Sequence, residues 1–131
     1  MVPVQVDVGF GAERGGRGIA YARIRDGSAE HLLRVAFRIR REFTDDEVGY
    51  VALTAVAQAL RKRRLKKVRL TVDDVPLVDG LRGGEIPPNM VLPYVRLKCV
   101  LNGFDDVRVS AAQPGDLAQR ARAEVALLPA A

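Results

Sequence analysis

The sequence predicts an α/β protein in a single domain, residues 1–131: a five-stranded mixed sheet, made of a three-strand antiparallel meander plus two further strands, with helices on both faces. Three observations carry this. Apolar and polar residues alternate through the first third of the chain, the period turns helical at Thr44, and helical and strand-like segments then take turns to the C-terminus.

In VPVQVDVGF, residues 2–10, valines alternate with Gln5 and Asp7, the period of a strand. GFGAERGGRG, 9–18, reads as a flexible glycine-rich connection, and GIAYARIRDG, 18–27, as a second strand closing on an Asp-Gly turn. HLLRVAFRIRREF, 31–43, is a third strand, with Leu33, Val35, Phe37 and Ile39 on one face and Arg34, Arg38 and Arg40 on the other. Thr44 and Glu47 form a capping box opening a long helix, in which Val48, Val51, Ala52, Ala55, Val56 and Leu60 recur at helical spacing toward RKRRLKK at 61–67. VRLTVDD, 68–74, is a fourth strand and PLVDGLRGG, 76–84, a short helix. Residues 87–104 form a helix with Pro93 near its start, VRVS, 107–110, a fifth strand, and GDLAQRARAEVALL a last helix.

Composition excludes several kinds of chemistry. No apolar stretch approaches the roughly 20 residues of a membrane span, and the N-terminus has no signal-peptide pattern, so a cytoplasmic location is expected. A single histidine, His31, and a single cysteine, Cys99, rule out a Cys/His zinc site within one chain and leave no catalytic triad. GFGAERG after a strand resembles a dinucleotide fingerprint, but a strand follows it, so no helix N-terminus is available to hold a pyrophosphate. The net charge of +5 admits a polyanionic partner, while aromatics at 5% argue against base stacking on single strands.

Taken with its punctuation, the order β-β-β-α-β-α-α-β-α resembles the ribonuclease H fold, in particular the short ribonuclease HI-like domains that lack the extra basic protrusion. VDVGF (6–10), TDDEVGYVAL (44–53) and ALRKRRLKKVRLTVDDVPLVDGL (59–81) carry the resemblance, which covers nearly the whole chain. It implies cleavage of RNA in RNA/DNA hybrids by two Mg²⁺ or Mn²⁺ ions held by four carboxylates.

By resemblance, Asp7 and Asp73 match the aspartates of the first and fourth strands and are the expected metal ligands. Asp116 is the expected fourth catalytic acid, with Gln119 as the alternative match. Gly49 stands where the family carries its glutamate, although glycine costs about 1 kcal/mol against alanine in a helix. Asp45 and Asp46 lie about one turn, ~5 Å, toward the N-terminus, too far for direct coordination. Asp74, followed by Pro76, reads as the cap of the short helix.

The expected nucleic-acid-contacting set is Arg14 and Arg17 in the hairpin loop, Arg34, Arg38 and Arg40 on the third strand, and Asp45 and Asp46 at the helix start. Three functions follow. The first is a ribonuclease H-like protein that binds an RNA/DNA hybrid or structured RNA through a degenerate nuclease site. The alternatives are an active Mg²⁺- or Mn²⁺-dependent ribonuclease H, and a non-catalytic homo-oligomeric assembly module, a homodimer among its expected forms, that joins through the hairpin or the long helix.

Overall fold

The computed structural model describes residues 2–113 and 115–129; positions 1, 114, 130 and 131, including the proline of QPGDLAQ, lie outside the described residues. Five strands form one sheet in the order β3-β2-β1-β4-β5. They are β1 (Val4–Ala12), β2 (Arg17–Asp26), β3 (Ala29–Arg38), β4 (Lys67–Val72) and β5 (Asp106–Ala111). The first three pair antiparallel, whereas β4 lies parallel to β1 and β5 parallel to β4. The mixed sheet expected from the change of period is therefore present, with the meander on one side and the parallel strands on the other.

Strand alternation decides what each face buries. Val4, Val6 and Val8 of β1 join Val68, Leu70 and Val72 of β4 in the main core, under helix α1 (Asp45–Lys62). Ala52, Leu53, Val56, Ala57 and Leu60 of α1 are inaccessible to solvent, so the helical period read in the sequence is the buried stripe. Leu77 and Val78 of α2 (Val75–Leu81) and Leu97 of α3 (Val91–Leu101) extend this core. Helix α4 (Asp116–Ala126) covers the opposite face, where Leu117, Ala121 and Val125 pack on Ile19 and Tyr21.

Four local expectations change. The glycine-rich connection is a tight turn over 13–16, because Gly9 and Gly11 belong to β1. A Cβ at Gly9 would lie 2.3 Å from the backbone nitrogen of Ala118, so glycine is there to let α4 approach the strand. Glu13 pins the turn by accepting from the Gly15 amide at 2.7 Å and from the Arg17 amide and Nε at 3.1 and 3.0 Å. Those bonds, the Gly15 amide first, hold its carboxyl down at about 2. Thr44 sits at the N-cap of α1 in extended backbone, yet its side chain makes no capping bond.

The third strand ends at Arg38 rather than running to residue 43, and the helix expected over 87–104 begins later. Pro87 and Pro88 lead into a 3₁₀ turn, Pro88–Met90, and α3 starts at Val91, leaving Pro93 in its first turn where a missing amide costs nothing. No helix among the described residues is long and apolar enough to cross a membrane.

Candidate functional site

Asp7, Asp73 and Asp116 line one cleft of about 260 Å³, between the sheet and the start of α4, together with Arg23 and Thr71. Alternation explains the meeting. In β1, Asp7 points away from Val6 and Val8, and in β4 Thr71 points away from Leu70 and Val72, so both turn toward α4; Asp73 continues that side past the strand end. Gln119, the alternative to Asp116, is exposed and does not line the cleft.

Each acid of the cleft already has a cation. Arg25 Nη2 stands 2.9 Å from Asp7 Oδ2, and the Thr71 hydroxyl donates to Asp7 Oδ1 at 2.7 Å. Arg23 grips Asp116 with both terminal nitrogens, at 3.3 and 2.5 Å, and its hydrogen bond holds the Asp116 carboxyl below the usual carboxylate range. Arg122 of α4 approaches Asp73 to 3.9 Å. The cleft is thus a clamp of three carboxylates and three guanidinium groups: Arg23–Asp116 and Arg122–Asp73 fasten α4 to β2 and to the end of β4, while Arg25–Asp7 ties β2 to β1.

Gly49 lies on the other side of the sheet. A Cβ built on it would meet Asp74 Oδ2 at 2.1 Å and the Phe10 ring at 3.3 Å, and Phe10 shares the α1-facing side of β1 with Val6 and Val8. Asp73 and Asp74 are adjacent but diverge, one toward α4 and the other into the space beside Gly49. Asp74 does cap α2, accepting from the Leu77 amide at 3.1 Å. It also fills the volume that a longer residue at 49 would need. Its burial there raises its pKa above the ordinary aspartate value, against the lowering effect of the Leu77 bond. Asp46 and Asp74 line a neighbouring cleft with Asp79 and Glu85, of which Asp7 is not part, and Asp45 lines neither cleft.

The four-carboxylate, two-metal arrangement implied by the resemblance can be tested against this donor set. The residues present do not fit it. Asp7, Asp73 and Asp116 face arginines, position 49 supplies no ligand and faces the opposite side of the sheet from Asp7, and among the described residues no three His, Cys, Asp or Glu side chains are grouped to hold an ion.

The expected basic set also divides. Arg17 pairs with Glu13, and Arg34 donates from Nε to Glu124 Oε2 at 2.6 Å. Arg40 donates from Nε to Glu47 Oε2 at 2.9 Å, and that bond is the main cause of the lowered Glu47 pKa. Glu47 is the buried charged residue of the chain's described part, its side chain 4% exposed, so it serves Arg40 as well as the helix start. Arg14 and Arg38 are exposed and make no ion pair among the described residues. Sequence reading missed the roles of Glu124 and Tyr21. The Tyr21 hydroxyl donates to Glu124, and Arg120 lies over the Tyr21 ring at 4.5 Å. The available signal was Tyr21 at the same strand parity as Arg23 and Arg25.

No protein-family model matches the sequence, and no curated protein matches it. Solved structures do. A ribonuclease H1 from the halophilic archaeon Halobacterium salinarum superposes with a TM-score of 0.78 at 18% identity, over 95% of this chain and 98% of that one. The N-terminal ribonuclease H domain of a Mycobacterium tuberculosis protein gives 0.73 at 16% identity, over 95% and 94%. The LC11 ribonuclease H1, solved with an RNA/DNA hybrid, gives 0.69 at 14% identity, over 93% and 92%.

The chain therefore has the ribonuclease H-like fold. Its particular form is that of these single ribonuclease H1 domains, matched over nearly their full length.

Proposed function

We propose that the chain binds nucleic acid, an RNA/DNA hybrid or a structured RNA, and that its nuclease site has been turned into a structural clamp. The observation that carries this reading is the pairing of Asp7, Asp73 and Asp116 with Arg25, Arg122 and Arg23, together with the filling of the space beside Gly49 by Asp74. A carboxylate that binds a divalent metal must first give up such a cation. Position 49, across the sheet from these three acids, cannot complete a four-carboxylate site with them.

Binding is supported by the net charge of +5, by the exposed Arg14 at the hairpin turn and Arg38 at the end of β3, and by the likeness to a ribonuclease H1 solved with a hybrid. Backbone contacts dominate such binding, so affinity for a labelled hybrid, followed by fluorescence anisotropy, is expected to fall steeply with salt. Arg14→Ala should reduce the slope of log affinity against log salt by about 1. In Mg²⁺ or Mn²⁺ the hybrid is expected to stay intact. Cleavage by the wild type that disappears in Asp7→Asn would overturn this reading in favour of an active ribonuclease H.

A further inference from the structure

The sheet has two edges, and only one of them is guarded. At β5 the strand is six residues long, and Arg82 from the end of α2 reaches across it, donating to the Val109 carbonyl at 3.3 Å and to the Ser110 hydroxyl at 3.4 Å. At β3 the strand is ten residues long and pairs with β2 without a break from Ala29 to Arg38. It contains no proline, lysine, glycine or bulge, devices that keep an edge from pairing, and its charged residues are of both signs, Glu30 against Arg34 and Arg38. Leu32 and Leu92 nearby are 45% and 58% exposed.

The direction of the free backbone groups follows from one bond. The Ile39 amide donates to the Gly16 carbonyl at 2.8 Å, just beyond the Arg17–Arg38 pair, so odd-numbered residues of β3 are the ones bonded to β2. Glu30, Leu32, Arg34, Ala36 and Arg38 consequently turn their N–H and C=O groups outward. An antiparallel partner related by a two-fold axis must oppose outward residues to outward residues. The register that engages every one of them is centred on Arg34. It sets Leu32 against the partner's Ala36 and Glu30 against the partner's Arg38.

We propose that β3 is a self-pairing edge, along which two copies of this chain join antiparallel about a two-fold axis at Arg34, with Glu30 of each copy facing Arg38 of the other. Charge complementarity selects the second copy as the occupant: an acid and a base stand at equal distances on either side of the axis, and Glu30, 3.5 Å from its own Arg25 through one oxygen, keeps a largely exposed carboxylate for the partner's Arg38. Arg34 meets the partner's Arg34 at the centre, but each is already neutralised by its own Glu124, held at 2.6 Å. On the α1 side, half-buried Leu33 opposes the partner's Val35. Ala36 and Arg38, further along the same strand, border a groove of about 810 Å³ whose wall includes Phe37, Val51, Leu92 and Pro93. Arg38, one of the two unpaired arginines of the expected binding set, acquires a carboxylate, which leaves Arg14 to the nucleic acid.

The test is sedimentation velocity of the full chain over a concentration range reaching about 1 mM, where weak pairing registers. The wild type should dimerise. Glu30→Arg and Arg38→Glu should each weaken the dimer about tenfold, since two symmetric attractions become repulsions, and the double swap should restore it. Ala36→Pro removes only an outward amide, so it should abolish the dimer while circular dichroism and Tm stay close to those of the wild type. A wild type that remains monomeric at the highest concentration would overturn the proposal, as would a dimer indifferent to the charge swaps and to Ala36→Pro.

Discussion

Against one face of the sheet, three helices bury an extended apolar core running from Val4 to Phe104; against the other, α4 alone buries Ile19, Tyr21, Leu117, Ala121 and Val125. The second face holds its helix largely by other means. Gly9 lets the α4 backbone come close, and three ion pairs tie the helix to the sheet: Arg23 to Asp116, Arg34 to Glu124 and Arg122 to Asp73. Hydrophobic burial is not screened by salt or titrated by mild acid, whereas exposed ion pairs are weakened by both. One fold therefore carries a face that should melt only with the whole molecule and a face that should loosen on its own.

The largest expected effect tests the apolar face. Leu53→Ala empties a site with no solvent access and should cost about 3 kcal/mol in urea denaturation, in one global transition. Gly9→Ala comes next, at about 2 kcal/mol, because the new methyl group meets the backbone of Leu117 and Ala118. Its signature is local: amide exchange should quicken through 116–126 while α1 keeps its protection. A global loss with unchanged α4 exchange would erase the distinction between the faces.

Smaller effects concern charge. Raising salt to about 1 M should quicken exchange in α4 without altering α1. The Asp116 and Glu124 carboxyls are held below their ordinary values by Arg23 and Arg34, so their contribution is present above the normal carboxylate pKa and disappears as pH falls through the lowered values. Exchange in α4 measured at falling pH, corrected for the intrinsic rate, should show that loosening. Asp74 has the opposite sign. Its pKa is raised by burial, so the stability it contributes is present below the ordinary aspartate value and is lost as pH rises through the raised one. Asp74→Asn keeps a capping oxygen and should raise Tm slightly at neutral pH, most of that gain vanishing in acid.

Much of this organisation was legible in the residues. Alternating valines in β1, the change of period at Thr44 and the Asp-Gly turn give the element order, since each reflects a local rule that tertiary packing did not override. The site was legible only in part. Parity places Asp7 opposite the valines, and a helix with the apolar stripe of α1 must pack on the valines, so Gly49 and Asp7 could have been assigned to different faces from the sequence alone. The arginine partners were harder to see. Arg23 meets Asp116 across 93 positions of sequence and Arg34 meets Glu124 across 90, pairings that depend on where α4 lands and leave no local pattern. The capping box was read from spacing, but Glu47 also answers to Arg40, which returns from the end of β3.

The contact between positions 49 and 74 limits the order in which this sequence can change. A side chain at 49 and a carboxylate at 74 claim the same space, with 2.1 Å between the first atom of one and an oxygen of the other. Gly49→Glu made alone sets two acids against each other and displaces a helix cap, whereas replacing Asp74 first opens the space. The path to any longer residue at 49 therefore runs through 74: the two positions are epistatic, and a library that varies them together should contain folded members that no single step from this sequence reaches.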